Sequence, residues 1–105
     1  MKAYKVYRSK TFEDKLKDMP KSFKEWVEKI EYQLVSNPYS GKPLGVDWLR
    51  EKKYEKFRVY YLVYDDFISV FMVNISEKKD QQKVINTIKL FLSVYKEELE
   101  ELSKN

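Results

Sequence analysis

Arg50, Lys52, Lys53, Lys56 and Arg58 crowd five cations into one short stretch, with Tyr54 and Tyr60 set among them. Ammonium and guanidinium groups neutralise phosphates, and aromatic faces between them stack unpaired bases, so the pattern suits a single-stranded polynucleotide. The same run has a plainer reading: four consecutive charges, Arg50 to Lys53, are what a solvated edge or turn carries. The chain has no histidine and no cysteine. That removes the commonest general base, thiol nucleophiles and thiolate metal sites. Any proton transfer falls to Lys, Arg, Tyr, a carboxylate or a hydroxyl. Asp65, Asp66, Glu77 and Asp80 match no metal-ligand spacing, the first two reading as turn residues, and no cofactor is expected.

The element that must position these groups is the stretch Tyr54–Ile75, where two β-rich runs meet at the polar pair Asp65-Asp66. Such a pair suits a tight turn between antiparallel strands. Side chains alternate along a strand, so Phe57, Val59, Tyr61 and Val63 share one face. Tyr54, Lys56, Arg58, Tyr60, Leu62 and Tyr64 share the other. The second run, Phe67 to Ile75, is apolar at nearly every position, the pattern of a central strand covered on both faces.

Ahead of the hairpin, Ala3–Arg8 reads as a short strand, and Ser9 or Thr11 caps a helix carrying Phe12, Leu16 and Met19. Met19-Pro20 ends it. Ser22 to Glu25 has a capping-box pattern, and Phe23, Trp26, Val27, Ile30 and Leu34 give a second helix its stripe as far as Ser36. Both stripes are expected to pack on the Phe57/Val59/Tyr61 face. Asn37–Gly45 holds both glycines and two of the three prolines, and reads as a mobile loop. Trp48 and Leu49 open a further strand. After the hairpin, Val84, Ile85, Ile88, Phe91, Leu92, Tyr95, Leu99 and Leu102 predict one long amphipathic helix over about 79–102. Its acidic last turns oppose the helix macrodipole unless a basic surface meets them. The fold class is α+β: two N-terminal helices packed on a small, mainly antiparallel sheet, with a long C-terminal helix.

At 105 residues, 43% apolar and 36% charged, the chain reads as one globular domain over 1–105, with its core in 1–76. Residues 1–60 hold 15 Lys and Arg against 9 Asp and Glu, while 61–105 hold 6 against 8, so a basic front precedes a mildly acidic tail. That imbalance suits a polyanionic partner. No apolar run spans a bilayer and the N-terminus lacks a signal-peptide core, which predicts a cytoplasmic protein with no membrane partner. Abundant Lys and Glu with little Gly or Gln fits a thermophile.

The order of these elements, with particular residues on them, resembles the RelE/ParE toxin superfamily of type II toxin–antitoxin systems, including plasmid-stabilisation proteins. The likeness rests on the opening strand with Phe12, Leu16 and Met19-Pro20, and on Leu34 to Pro38 followed by Gly41 to Leu44. Lys56-Phe57-Arg58-Val59-Tyr60-Tyr61-Leu62-Val63-Tyr64 carries most of it, with Phe71-Met72-Val73 after it. The resemblance implies a metal-independent, ribosome-dependent mRNA endoribonuclease or, alternatively, a gyrase inhibitor or a binding module of the same fold. It implies a cognate antitoxin as partner, with RNA or the ribosome (alternatively DNA gyrase) as target, and a possible homodimer. By position it implies catalytic roles for Arg58, Lys53, Lys56 and Lys79, and RNA contacts for Lys52 and Lys78; the charge and stacking pattern adds Arg50, Tyr54 and Tyr60 as expected RNA contacts. This chain departs from the family pattern after the basic cluster, where no His follows and no Tyr comes before Tyr95. Two alternatives stay open in the residues themselves. Arg58 is either a substrate-facing cation or a structural one stacked among Tyr54, Tyr60 and Tyr64. The C-terminal helix either folds over the Tyr60/Leu62/Tyr64 face, with Ile68, Val70 and Met72, or leaves that groove for an antitoxin helix.

Overall fold

A computed structural model describes residues 2–104. Strand β1 (Lys5–Arg8) leads into α1 (Lys10–Lys17) and α2 (Lys21–Ser36). The two-residue β2 (Lys42–Pro43), β3 (Leu49–Tyr54), β4 (Phe57–Tyr64) and β5 (Ser69–Glu77) follow, then α3 (Gln81–Leu90) and α4 (Leu92–Ser103). The sheet order is β1-β5-β4-β3-β2, antiparallel throughout except that β1 runs parallel to β5. Among the described residues, no helix is long and apolar enough to cross a membrane.

The sheet is sandwiched. Phe12 and Leu16 of α1 and Phe23, Val27, Ile30 and Leu34 of α2 pack on Val59, Tyr61, Val63, Val70, Met72 and Ile75. On the opposite face, Ile85, Ile88, Tyr95 and Leu99 of α3 and α4 pack on Leu49, Tyr60, Leu62, Phe71 and Val73. The α1/α2 stripes thus lie on the face expected, β5 is covered on both sides, and the C-terminal segment folds back as core. Val70 and Met72 are corrected to the α1/α2 face. The β4–β5 connection holds four residues, a 3-10 turn Asp65–Phe67 and the left-handed Ile68 (φ 48°), so Leu62 opposes Phe71 rather than an even-numbered neighbour. Further along, the register shifts between Tyr60 and Tyr61, which leaves Val73 as an extra residue on β5. Beyond that bulge Tyr60 opposes Asn74, and Arg58 opposes Ser76.

Several local expectations change. The long helix is two helices broken at Phe91 (φ −111°, ψ 22°). A straight helix over 79–102 would measure about 36 Å, longer than the largest extent of the body, 32 Å. The break lets Ile85/Ile88 and Tyr95/Leu99 reach one sheet face, at the cost of leaving Leu90 and Phe91 exposed. The acidic last turns do find a positive site, because Glu98 accepts the backbone N–H of Lys10 in the first turn of α1 at 2.8 Å. Ser9 caps α1, its hydroxyl accepting the Phe12 amide at 3.0 Å. Ser22 caps nothing: α2 starts from Pro20, which needs no amide partner, so Ser22 already lies inside the helix.

The Arg50–Lys53 run is not a solvated turn but part of β3, with Arg50 and Glu51 buried. Nor is Asn37–Gly45 loose. Tyr61 donates its hydroxyl to the Pro38 carbonyl (2.9 Å) and accepts the Gly41 amide (2.9 Å). Arg50 donates to the carbonyls of Gly41 (2.9 Å) and Asp47 (2.8 Å), with its guanidinium 5.2 Å from the Tyr39 ring centre. Asp65 ties the same corner together, accepting from Tyr4 and Tyr39 hydroxyls, both at 2.7 Å.

Two outcomes follow from this corner. Gly41 has no room for a side chain, since a Cβ there would stand 2.6 Å from both the Glu51 carbonyl oxygen and the Tyr61 hydroxyl. Gly41→Ala is expected to lower the unfolding free energy by about 1–3 kcal/mol in urea titrations. The two tyrosine hydroxyls hold the Asp65 carboxyl below its ordinary pKa, and Tyr39, by burial first and then by its bond to Asp65, is pushed up to about 12. A depressed carboxylate stabilises the fold above the ordinary carboxylate range and loses that contribution as pH falls through its own lower pKa. A raised phenol does so below about pH 10 and loses it toward about 12. Urea titrations of Asp65→Asn across pH are therefore expected to show a shallower fall in stability below about pH 4 than the parent chain.

Candidate nucleic-acid interface

Three chain segments converge at the end of the sheet where β3 turns into β4. The turn is Glu55-Lys56, with Glu55 in the left-handed region at φ 54°. Arg58 Nη1 donates to the carbonyls of Glu55 (3.1 Å) and Phe57 (3.0 Å), so the guanidinium braces the turn it follows. Across the strands Arg58 stands between Lys53 of β3 and Ser76 of β5, and one row further in Tyr60 stands between Glu51 and Asn74. The chain leaves β5 into a 3-10 turn, Lys78–Asp80, whose Lys78 amide donates to the Lys56 carbonyl at 2.7 Å. That bond folds Lys78 and Lys79 back toward the β3–β4 turn. Lys53, Lys56, Lys78 and Lys79 are all exposed there, while Arg58 is only 8% exposed. Lys56 is partly neutralised by Glu77, 3.7 Å away.

Beneath the cations lies a polar floor. Gln81, the first residue of α3, donates to Glu51 Oε1 at 2.6 Å. The Tyr60 hydroxyl and Ser76 Oγ are 2.8 Å apart. Burial raises the Tyr60 pKa, the Ser76 bond and the Arg58 charge pulling the other way and Glu51 and Asp80 adding to the rise, so the phenol stays a neutral hydrogen-bonding group. Sequence reasoning missed Glu51 and Gln81. Glu51 sat inside a run read as solvated, and its partner lies thirty residues away, so nothing local marked the pair.

Other expected contacts lie elsewhere. Lys52 opposes Val59 and lines a cleft with Tyr32, Gln33 and Ser40 on the α1/α2 face, where burial lowers its pKa. Tyr54 shares that face instead of Arg58's, because the chain turns at Glu55 rather than running straight. Its ring centre is 5.0 Å from Trp26 and 5.7 Å from Phe23. Arg50, also on that face, is spent on the Asn37–Asp47 loop. Tyr60 lies on Arg58's face but is 0% exposed, so its ring has no surface to offer a base. The structure thus brings together Lys53, Lys56, Arg58, Lys78 and Lys79, and separates Arg50, Lys52 and Tyr54 from them.

The fold has solved counterparts. The toxin RelE of E. coli in the free state, with two arginines replaced by alanine, superposes with a TM-score of 0.71 at 16% identity, over 83% of this chain and 96% of that one. The fold is that of RelE. The toxin–antitoxin complex RelBE2 of Mycobacterium tuberculosis matches with a TM-score of 0.63 at 21% identity, over 73% and 93%. The RelB–RelE antitoxin–toxin complex of Methanococcus jannaschii gives 0.60 at 14%, over 75% and 98%. This chain carries residues beyond the part it shares with each. No protein-family model matches the sequence, and no curated protein matches it.

The split between the two faces yields a binding prediction. If phosphates sit on the exposed corner, Lys53→Ala weakens single-stranded RNA binding and lowers the slope of log K against log salt by about 0.7. Lys52→Ala leaves both unchanged. Fluorescence titrations at several salt concentrations measure the two slopes.

Proposed function

We propose that this chain is the toxin of a type II toxin–antitoxin pair, an mRNA endoribonuclease that works on the ribosome with a cognate antitoxin as its inhibitor. The observation that carries the reading is the cationic corner: Lys53, Arg58, Lys78 and Lys79 drawn to one end of a RelE-type sheet by the β3–β4 turn and the Lys78–Lys56 bond. RNA cleavage of this kind needs positive charge on a phosphate that gains negative character, a group to take the ribose 2′-OH proton, and a donor to the departing 5′-oxygen. Arg58 and Lys53 flank one another in register and suit the phosphate; Lys79 suits the leaving oxygen; Lys56 and Lys78 suit neighbouring phosphates. The Glu51 carboxylate, paired with Tyr60 one row in from Arg58, suits the 2′-OH proton. The 2′-oxygen would then attack phosphorus as the 5′-oxygen leaves, giving a 2′,3′-cyclic phosphate and a 5′-hydroxyl. The reading gives no RNA contact to Arg50, Lys52, Tyr54 or Tyr60.

A second reading is a binding module without chemistry, aimed at DNA gyrase or another target. It is favoured by one observation: the Arg58 guanidinium is already engaged by two carbonyls and stands in a face covered by α3 and α4.

Expression of the chain alone in growing cells separates the two. The ribonuclease reading predicts translational arrest with new transcript ends, relieved at least tenfold by Arg58→Ala and by the paired exposed changes Lys53→Ala/Lys79→Ala. Thermal melts of each variant check that the fold is intact, since Arg58 braces a turn. Arrest with uncut transcripts and inhibited gyrase supercoiling would establish the second reading. Normal growth with intact transcripts would falsify the first.

A further inference from the structure

β5 outruns its neighbour on one side. β1 pairs with it only as far as Met72, so Asn74 to Glu77 have no strand along that edge, and a cleft of about 430 Å³ opens there between α1 and α3. Lys15, Asn74, Asp80, Lys83, Val84 and Thr87 line it. The volume is within the ~300–1,000 Å³ range of small-ligand sites.

The polar groups in this cleft are positioned rather than loose. Lys15 Nζ donates to Asn74 Oδ1 (2.6 Å) and to the Ile75 carbonyl (3.1 Å), and the Ile75 amide donates back to the same Oδ1 (2.8 Å). Two donors on one atom fix it as the oxygen, so the other end of the carboxamide is Nδ2. Asn74 is only 5% exposed, yet Nδ2 donates to no group among the described residues, and it is not sealed in the interior. A nearly buried asparagine therefore presents an unspent N–H₂ to the cleft, beside a lysine with a donor still free.

The charge balance says what such a cleft prefers. Lys15 and Lys83 are offset by Asp80 and Glu77, and a second phosphate would meet both carboxylates. A neutral ring with donors and acceptors on its edge meets complementary groups instead: Asn74 Nδ2 and Lys15 donate, Asp80 accepts, and Val84 gives apolar surface. Burial lowers the Lys15 pKa, with the Asp80 charge opposing the shift. The cleft also adjoins the cationic corner. Ser76 belongs to both, lining the cleft while bonding Tyr60 in the row next to Arg58.

We infer that the α1–α3 cleft at the free edge of β5 is a nucleobase subsite, holding the base of a nucleotide next to the phosphate bound at the Arg58 corner. This rests on the RNA reading above and adds the element that would make cleavage base-dependent.

The test uses short 2′-O-methyl oligoribonucleotides, which cannot be cut, with an abasic residue moved through each position, and follows binding by amide NMR. Base removal at one position is expected to weaken wild-type binding about tenfold or more, and the intact oligonucleotide to shift the Asn74 side-chain and Thr87 signals. Lys15→Met, which removes the donor but keeps the stem, and Thr87→Tyr, which fills the cleft from the helix, should each abolish that base dependence while Lys53 and Lys78 signals still respond. Wild-type binding indifferent to every base overturns the subsite alone, as do two variants that keep the wild-type dependence. If no oligonucleotide moves any signal, the subsite is overturned, while the ribonuclease reading is decided by the transcript ends in the expression experiment.

Discussion

One extra residue in β5, Val73, changes which side chains share a face with Arg58. Before the bulge Leu62 faces Phe71, and both belong to the apolar layer under α3 and α4. After it, Tyr60 and Arg58 face Asn74 and Ser76. In an unbroken ladder Arg58 would oppose Ile75, while Asn74 and Ser76 would turn into the packed α1/α2 core, where unpaired amides and hydroxyls cost about 1–3 kcal/mol each. The bulge thus divides this face of the strand pair into an apolar half under α3 and α4 and a polar end that carries Arg58.

That polar end is held by backbone as much as by side chains. Glu55 adopts a left-handed conformation that costs a non-glycine residue about 1 kcal/mol or more, and Arg58 offsets this by donating to both carbonyls that flank Lys56. The Lys78 amide closes the gap from the other side. The Glu51–Gln81 bond then anchors the start of α3, so the helices covering the face and the cations at its rim are positioned by the same few contacts. A ligand at the corner would meet a preformed rim of exposed lysines with a mostly buried arginine behind them.

Much of the fold was legible because its signals are local and periodic. The stripes Phe12/Leu16 and Phe23/Val27/Ile30/Leu34 recur at helical spacing, and Val59/Tyr61/Val63 alternate, so the packing of α1 and α2 on that face of β4 follows from residue spacing alone. The site was legible only in part. Lys53, Arg58, Lys78 and Lys79 come together as their order suggests, but Tyr54 falls on the far face because the chain turns at Glu55, and Arg50 is drawn away by loop carbonyls at Gly41 and Asp47. Neither event has a signature in composition. A charged residue in a row of charged residues looks solvated until a distant loop is known to cover it.

By itself the sequence determined the class of the protein: an α+β domain with two helices on one face of a hairpin-centred sheet and a helical segment after it, and a chemistry restricted to cations, phenols, hydroxyls and carboxylates by the absence of imidazole and thiol. Tertiary structure decided the rest. Parity along a strand is lost at every bulge and turn, and one inserted residue reverses it, so which of Lys52, Lys53, Tyr54, Arg58 and Tyr60 share a face could not follow from spacing. Likewise the break at Phe91 follows from the size of the body that the helices must cover, a length that is set only when the sheet is assembled.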